Sequence, residues 1–308
     1  MEDIKSLVDP RILAKSIDDI NYPFSILVND TSQMEKKTGL TLKKIEEVKM
    51  KVASYVLISK FITTADQILP WKRISTGCKA IDSTLTGGIP INGITEIFGC
   101  SGVGKTQFCL QLCLQVQLLA IDGKEKGAIY ICTEDPFPSK RFHQLSTRFK
   151  EKHNVITDFE KNVYINHVAD FEQLRRCLYV HAPNLLQTKD IGLIIIDSIA
   201  GAFRSENVDV NYTSRGRELC EIACKLNNLS DKYQVAIVCI NQVTEDVQQG
   251  KTEPCLGLAW SNNVNYRCQI SRFNDRPTRE FEVIFGPDLP CRKCTFEIRE
   301  DGLFSLED

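Results

Sequence analysis

Gly99-Cys100-Ser101-Gly102-Val103-Gly104-Lys105-Thr106 fits the spacing G-x-x-x-x-G-K-[ST], which cradles phosphates. Its glycines let the backbone turn so that successive N–H groups face one anion. The unpaired amides that open the next helix face the same anion. Lys105 is placed to reach the β- and γ-phosphates, and the Thr106 hydroxyl to hold Mg²⁺. Such a pattern also arises by accident, so its surroundings matter. An apolar run, Ile94 to Phe98, precedes it as a predicted buried strand, and an apolar helix is predicted over Thr106 to Leu119. A strand before and a helix after are the context in which this loop binds nucleotide.

Ligands of an open α/β sheet sit at the carboxyl ends of its strands. Three predicted strands end there in polar residues. Leu193-Ile194-Ile195-Ile196 runs into Asp197, placed to hold Mg²⁺ through water together with Thr106. Ala128 to Thr133 runs into Glu134, a carboxylate that could polarise a water attacking the γ-phosphate. Val238-Cys239-Ile240 runs into Asn241 and Gln242, and Gln242 could sense the γ-phosphate and pass its presence to the adjoining loop. Taken singly these signals are weak: an apolar run ending in Asp is common, and a lone Glu often starts a helix. In this order behind the phosphate loop they are specific.

The elements that must position these residues alternate. Strands are predicted over Ile94–Phe98, Ala128–Cys132, Val163–His167, Leu193–Ile196 and Val235–Ile240, with helices such as Phe171–Val180 and Arg217–Leu229 between them. Near-continuous apolar strands alternating with helices predict a mostly parallel sheet covered on both faces. Beyond Val264 the pattern turns β-rich, with Tyr266–Ser271, Phe281–Phe285 and Thr295–Arg299 predicted as antiparallel strands at one sheet edge. Residues 1–58 differ. Ile45, Val48, Val52 and Val56 recur at helical spacing, Thr41 is a candidate cap, and Thr38-Gly39-Leu40 reads as a tight turn. Shorter helices around Pro10–Ile20 and Phe24–Val28 would complete a small helical domain. It is open whether this domain grips DNA phosphate as a helix-hairpin-helix or serves packing and docking. Residues 59–73 form a linker, broken from the rest by Pro70 and Trp71, and 74–308 the α/β core.

Composition narrows the function. The 308 residues carry a net charge of −2, which excludes a wholly basic surface, so DNA would have to bind through local patches or a groove shared within an oligomer. In residues 1–70, ten Lys and Arg balance ten Asp and Glu. No apolar run is long enough to span a bilayer, and no leader-like segment opens the chain, so a soluble, non-secreted protein is expected. Thirteen cysteines are scattered through apparent core positions, as suits a reducing compartment. Cys291-Arg292-Lys293-Cys294 lacks the second pair that a zinc site needs.

Several segments together resemble a known family. They are I-S-T-G-C-K-A-I-D from Ile74, G-G-I-P from Gly87, I-T-E-I-F-G-x4-G-K-T-Q from Ile94, Y-I-C-T-E from Tyr130, I-I-I-D-S from Ile194 and I-N-Q-V from Ile240. The chain resembles RecA/RadA-type recombinases, their eukaryotic branch in particular, over nearly its whole length. That implies a RecA-like P-loop ATPase core, α/β in class, behind a small helical domain, with ATP and Mg²⁺ held by Gly99 through Gln107 and Asp197. It implies Glu134 as the catalytic carboxylate, with Lys105 and with Gln242 as γ-phosphate sensor. Arg141 would stack on adenine, although by itself it reads equally as a solvated helix residue. Segments 204–217 and 243–256 match two DNA-binding loops, with Arg204, Arg215, Arg217 and Lys251 as phosphate contacts. Both loops depart from the family in being poor in cations. Glu206 and Asp209 stand in the first, and Glu245, Asp246 and Glu253 in the second. Phosphate neutralisation supplies most non-specific affinity, so an assisting paralogue in homologous-recombination repair fits better than the strand-exchange recombinase itself. A non-hydrolysing scaffold is the other class, and a ring-forming helicase is disfavoured by the N-terminal domain and linker. The expected enzyme is a slow, DNA-stimulated ATPase. Expected partners are a related paralogue in a hetero-oligomer, the main recombinase filament, and single-stranded or branched DNA, in the nucleus and also the cytoplasm. The linker places Ile62 and Ala65 in the family's aromatic-x-x-Ala oligomerisation slots, with packing on their own domain as the plainer alternative.

Overall fold

The computed structural model describes residues 26–27, 30–56, 72–119, 126–155, 157–204, 212–246, 251–273 and 276–306. By its internal contacts the chain divides into two units, Met1–Pro70 and Trp71–Asp308.

In the first unit, α1 (Thr31–Thr38) starts at Asp30, whose carboxylate accepts from Gln33 N at 3.0 Å, satisfying an orphan amide. It ends at Gly39, where a φ of 68° lets the N–H turn back to Glu35 O at 2.8 Å. Then α2 (Leu42–Val56) opens with Ile45 N bonded to Thr41 O at 3.1 Å, which puts Thr41 at the expected cap position. Ile26, Met34, Leu40, Ile45, Val48 and Val52 pack into one cluster. The spacing of Ile45, Val48 and Val52 predicts this face, whereas the Val56 side chain lies outside the described residues. Helix α1 is not among the helices the periodicity predicts, because T-S-Q-M-E-K-K-T has a single apolar residue and so no periodic stripe. Of the predicted segments Pro10–Ile20 and Phe24–Val28, only Ile26 and Leu27 fall among the described residues.

The second unit runs β1 (Arg73–Ile74), α3 (Lys79–Thr84), β2 (Ile89–Pro90), β3 (Ile94–Phe98), α4 (Lys105–Gln115), β4 (Gly127–Cys132), α5 (Ser139–His153), β5 (Val163–His167), α6 (Phe171–Arg176), α7 (Ala182–Thr188), β6 (Ile191–Asp197), α8 (Tyr212–Tyr233), β7 (Ala236–Asn241), β8 (Val243–Asp246), β9 (Lys251–Pro254), α9 (Gly257–Ser261), β10 (Tyr266–Arg272), β11 (Thr278–Phe285), β12 (Lys293–Arg299) and β13 (Gly302–Ser305). Among the described residues nine strands form one sheet, in the order β13-β12-β11-β10-β3-β7-β6-β4-β5. The stretch from β10 to β5 is parallel, and β11, β12 and β13 add antiparallel. The mostly parallel sheet of the expected α/β class is therefore present.

Strand alternation splits the core in two. Ile97, Ala128, Tyr130, Ile195 and Val238 face α4 and α5 on one side. Ile94, Ile129, Ile131, Ile194 and Ile237 face α6 and α8 on the other. All of α4 from Phe108 to Gln115 is buried. Its polar Gln111 is satisfied by Thr76 O and Leu303 N, both at 2.6 Å, as a buried amide requires.

Two expectations need correction. Strand β10 pairs antiparallel with β11, as expected, but it is not at the edge: its other side pairs parallel with β3, so it joins the parallel sheet to the antiparallel strands β11, β12 and β13. Edge strand β13 leaves no signal in the sequence, because four residues, half of them polar or Gly, carry no run. The helix expected to stop at Val180 continues through a π turn, Cys177–His181, into α7. Pro183 falls in the first turn after the wider π turn has interrupted the i→i−4 ladder, where its missing N–H costs little.

Candidate functional site

The phosphate loop links β3 to α4 at the carboxyl edge of the sheet. Gly104 has φ 108°, and a Cβ there would come within 2.2 Å of Ile298 Cδ1. A Cβ on Gly99 would come within 2.2 Å of Ile270 O, so only glycine lets the loop leave the strand. Arg279 of β11 donates Nε to Val103 O at 2.8 Å, holding that carbonyl on the sheet side. Cys100, Ser101 and Gly102 are exposed, whereas Lys105 is buried, its Nζ donating to Gly99 O at 2.6 Å and Cys100 O at 2.7 Å. Burial moves the Lys105 amine below the ordinary lysine range, and the nearby Asp197 carboxylate offsets part of that.

Asp197 closes β6 on the face that carries α4. Strand alternation puts Tyr130 of β4 on this same face, and Tyr130 OH donates to Asp197 Oδ2 at 2.7 Å. Thr106 Oγ1, in the first turn of α4, donates to the same oxygen at 2.8 Å. Burial raises the Asp197 carboxyl above the usual range, against the opposing pull of the Tyr130 and Thr106 hydrogen bonds and of Lys105. A hydroxyl and a carboxylate side by side are the hard oxygen donors that Mg²⁺ takes. Thr106, Tyr130, Glu134, Pro136, Pro138 and Asp197 line one pocket beside the loop.

Beyond the tip of β4, Glu134 gathers the remaining strand ends. Its Oε2 accepts from Ser198 Oγ at 2.8 Å and Gln242 Nε2 at 2.6 Å. Its Oε1 pairs with Arg204 Nη1, while Arg204 Nη2 donates to Gln242 Oε1. Thr133 fixes the crossing beneath, accepting from Ser198 N at 2.9 Å and donating to Ser198 O at 2.6 Å. Gly201 leaves room, since a Cβ there would meet Thr133 Oγ1 at 2.3 Å. Sequence reasoning placed Glu134, Gln242, Asp197 and Thr106 in one cluster, and the structure brings all four together.

Gln242 is held from below by a charge in the middle of the core. Glu96 of β3 is fully buried. Its Oε1 accepts from Asn241 Nδ2 at 2.7 Å and Trp260 Nε1 at 2.9 Å, and its Oε2 pairs with Arg267 Nε. Asn241 also bonds Cys255 O and Gln242 N, both at 2.8 Å, while Cys255 N returns to Gln242 O at 2.8 Å. Both ends of the 243–256 segment are pinned, and among its described residues β8 pairs antiparallel with β9.

Of the other predicted site residues, Arg141 on α5 is fixed rather than solvated. Its Nε donates to Gln107 Oε1 at 2.8 Å, Nη1 to Gln144 Oε1 at 2.6 Å and Glu300 O at 2.9 Å, and Nη2 to Arg299 O at 2.7 Å. All these bonds lie at the guanidinium's edge. Arg215 lies 5.8 Å over the Phe203 ring, and Arg217 is exposed on α8. Lys251 begins β9, with its backbone opposite Asp246. Ile62 and Ala65 lie outside the described residues. Sequence reasoning missed Tyr130, Ser198, Glu96 and Arg279. Glu96 left a signal of its own, a lone charge in the strand I-T-E-I-F.

A protein-family profile described as Rad51 matches residues 70–306. DNA repair protein XRCC3 of Mus musculus is 34% identical over 264 residues, covering 75% of this chain and 75% of the relative. DNA repair protein XRCC3 of Bos taurus is 36% identical over 253 residues, 75% of this chain and 74% of the relative. DNA repair protein rhp57 of Schizosaccharomyces pombe is 28% identical over 328 residues, 91% of this chain and 92% of the relative.

Proposed function

The chain belongs to the Rad51 family, and we propose that it serves DNA repair by homologous recombination as an ATP-binding paralogue that works in a hetero-oligomer on DNA. The observation that carries this is the meeting of Thr106–Asp197 with Glu134–Gln242 beside the phosphate loop. In this reading the loop amides and Lys105 bind the nucleotide phosphates, which take the Lys105 ammonium from the carbonyls of Gly99 and Cys100. Thr106 and Asp197 hold Mg²⁺, which when bound neutralises charge on the phosphate oxygens. Glu134 orients a water toward the γ-phosphate, and Ser198 keeps that carboxylate aimed. Gln242 reports the γ-phosphate to the β8–β9 ribbon. The guanidinium of Arg141, bonded along its edge, presents a flat face to adenine. The residues of the ribbon argue for an assisting paralogue over a strand-exchange catalyst, since Glu245, Asp246 and Glu253 outnumber Lys251. A role in repair supports a nuclear location.

Single-turnover hydrolysis of ATP by the full chain, with and without single-stranded DNA, tests the reading. Slow turnover that DNA accelerates, and that Glu134→Gln slows while ATP stays bound, is the expected result. Turnover at the wild-type rate in that variant would remove Glu134 from its role. A second reading, ATP held as structural glue without turnover, is favoured by one observation: both Glu134 oxygens are already occupied by donors.

A further inference from the structure

Arg204 is one of the cations that sequence assigns to DNA, yet its guanidinium bonds Glu134 and Gln242 of the candidate nucleotide site. It comes directly after the tight turn Gly201–Phe203, with its own N–H bonded to Gly201 O at 3.1 Å. Gly201 N donates in turn to Ser198 Oγ at 3.1 Å, and Ser198 Oγ donates to Glu134. Turn, serine, carboxylate and guanidinium are therefore one hydrogen-bonded unit. The planar fork of Arg204 spans two acceptors, Glu134 Oε1 and Gln242 Oε1, a geometry that a guanidinium makes and an ammonium cannot. The side chain is still 55% exposed, so an outside anion can reach it.

We propose that Arg204 is a shared residue that couples the two sites: DNA phosphate and the Glu134–Gln242 pair compete for one guanidinium. Without DNA, Arg204 clamps Glu134 and Gln242 to each other. Three of the roughly four acceptor sites of the Glu134 carboxylate are then taken, and the Arg204 charge on Oε1 weakens the site left there as an acceptor for water. A phosphate diester offers the same fork two oxygens and a full charge. Arg204 then turns outward, freeing Oε1 of Glu134 and the amide oxygen of Gln242. The inference rests on the ATP- and DNA-binding function proposed above, and makes Arg204 a positioning residue that acts through Glu134. Arg215 does not share this part, since it lies over Phe203.

Competition is reciprocal: loosening the grip of Glu134 must strengthen DNA binding through Arg204. The test measures affinity for a fluorescent single-stranded oligonucleotide at fixed low salt, without nucleotide and with a non-hydrolysable ATP analogue, so that trapped ATP plays no part. Wild type, Glu134→Gln, Arg204→Ala and the double variant are compared. Glu134→Gln is expected to tighten binding by about two- to fivefold, the range for a half-exposed ion pair, and Arg204→Ala to weaken it. The double variant is expected to match Arg204→Ala, with the gain gone. A gain that persists in the Arg204→Ala background is a general field effect and overturns the proposal, as does no gain at all. Should Arg204→Ala not fold, Arg204→Lys replaces it. Its point charge cannot span both acceptors, so the gain should shrink, and an undiminished gain overturns the coupling. A wild type that binds no DNA under either condition sinks the proposed function itself. One that binds without an Arg204-dependent gain sinks only the coupling.

Discussion

At the scale of single residues, the nucleotide site sets its own pH window. Asp197 must be ionised to hold Mg²⁺, and burial raises its pKa, so Mg·ATP affinity should fall on acidification at a pH above the ordinary carboxylate range. Lys105 must be charged, and burial lowers its pKa, so affinity should also fall on the alkaline side, earlier than for a solvated lysine. Both limbs move inward. Tyr130→Phe removes a donor that favours ionised Asp197, and calorimetric titration across pH should find the acid limb at higher pH in that variant. An unmoved limb would show that Asp197 is not the titrating group. Lys105→Ala should weaken ATP·Mg²⁺ by roughly tenfold to a hundredfold, the worth of charge-assisted hydrogen bonds. Equal affinity by calorimetry would contradict its role. Lys105 and Thr106 were legible because their motif fixes type and spacing along the chain, and Asp197 because it ends an apolar run downstream of that motif. Tyr130 was not, because it reaches Asp197 across 67 residues by strand register.

At the scale of elements, the long apolar strands could be read from their runs. Ile94–Phe98 and Val163–His167 lie where the sequence predicts them. Short or polar elements such as α1 and β13 could not, since they are held by neighbours rather than by their own pattern. Glu96 shows what that reading misses. It joins β3 to β10 through Arg267, to β7 through Asn241 and to α9 through Trp260. Removing one member of a buried ion pair leaves an uncompensated charge. Glu96→Ala should therefore cost ~3–5 kcal/mol in urea unfolding. A loss below ~1 kcal/mol would mean that water repairs the network.

At the scale of the whole molecule, the net charge of −2 leaves DNA affinity to a few side chains. If Arg204, Arg215, Arg217 and Lys251 all meet phosphates, log affinity for a single strand should fall with log salt at a slope of about −3. A much steeper slope for the isolated chain would show that other cations take part. Assembly should add to this affinity, because subunits on one strand contribute their contacts together. The hetero-oligomer is proposed to form through Ile62 and Ala65. Ile62 stands in a slot that the resembling recombinases fill with an aromatic side chain, and a smaller anchor selects a different pocket. Burying Ile62 should contribute ~1.5–3 kcal/mol. Ile62→Glu with Ala65→Glu should break one subunit boundary and leave the other face bound, scored by co-purification at both faces. Survival of every contact at unchanged affinity would place the oligomerisation element elsewhere.

Sequence by itself determined the phosphate loop, the alternation of strand and helix and the polar strand ends, because each is a local pattern written in consecutive residues. Nearly all of the family's segments are of that kind, and so the family was legible. Only the tertiary structure decided what those strand ends do to one another. The joining of Arg204 to Glu134 and Gln242 and the burial of Glu96 under Asn241 both depend on the order in which β3, β7, β6 and β4 lie side by side. Spatial order comes from crossovers that pack helices on both faces of a twisted sheet, and no spacing along the chain encodes it.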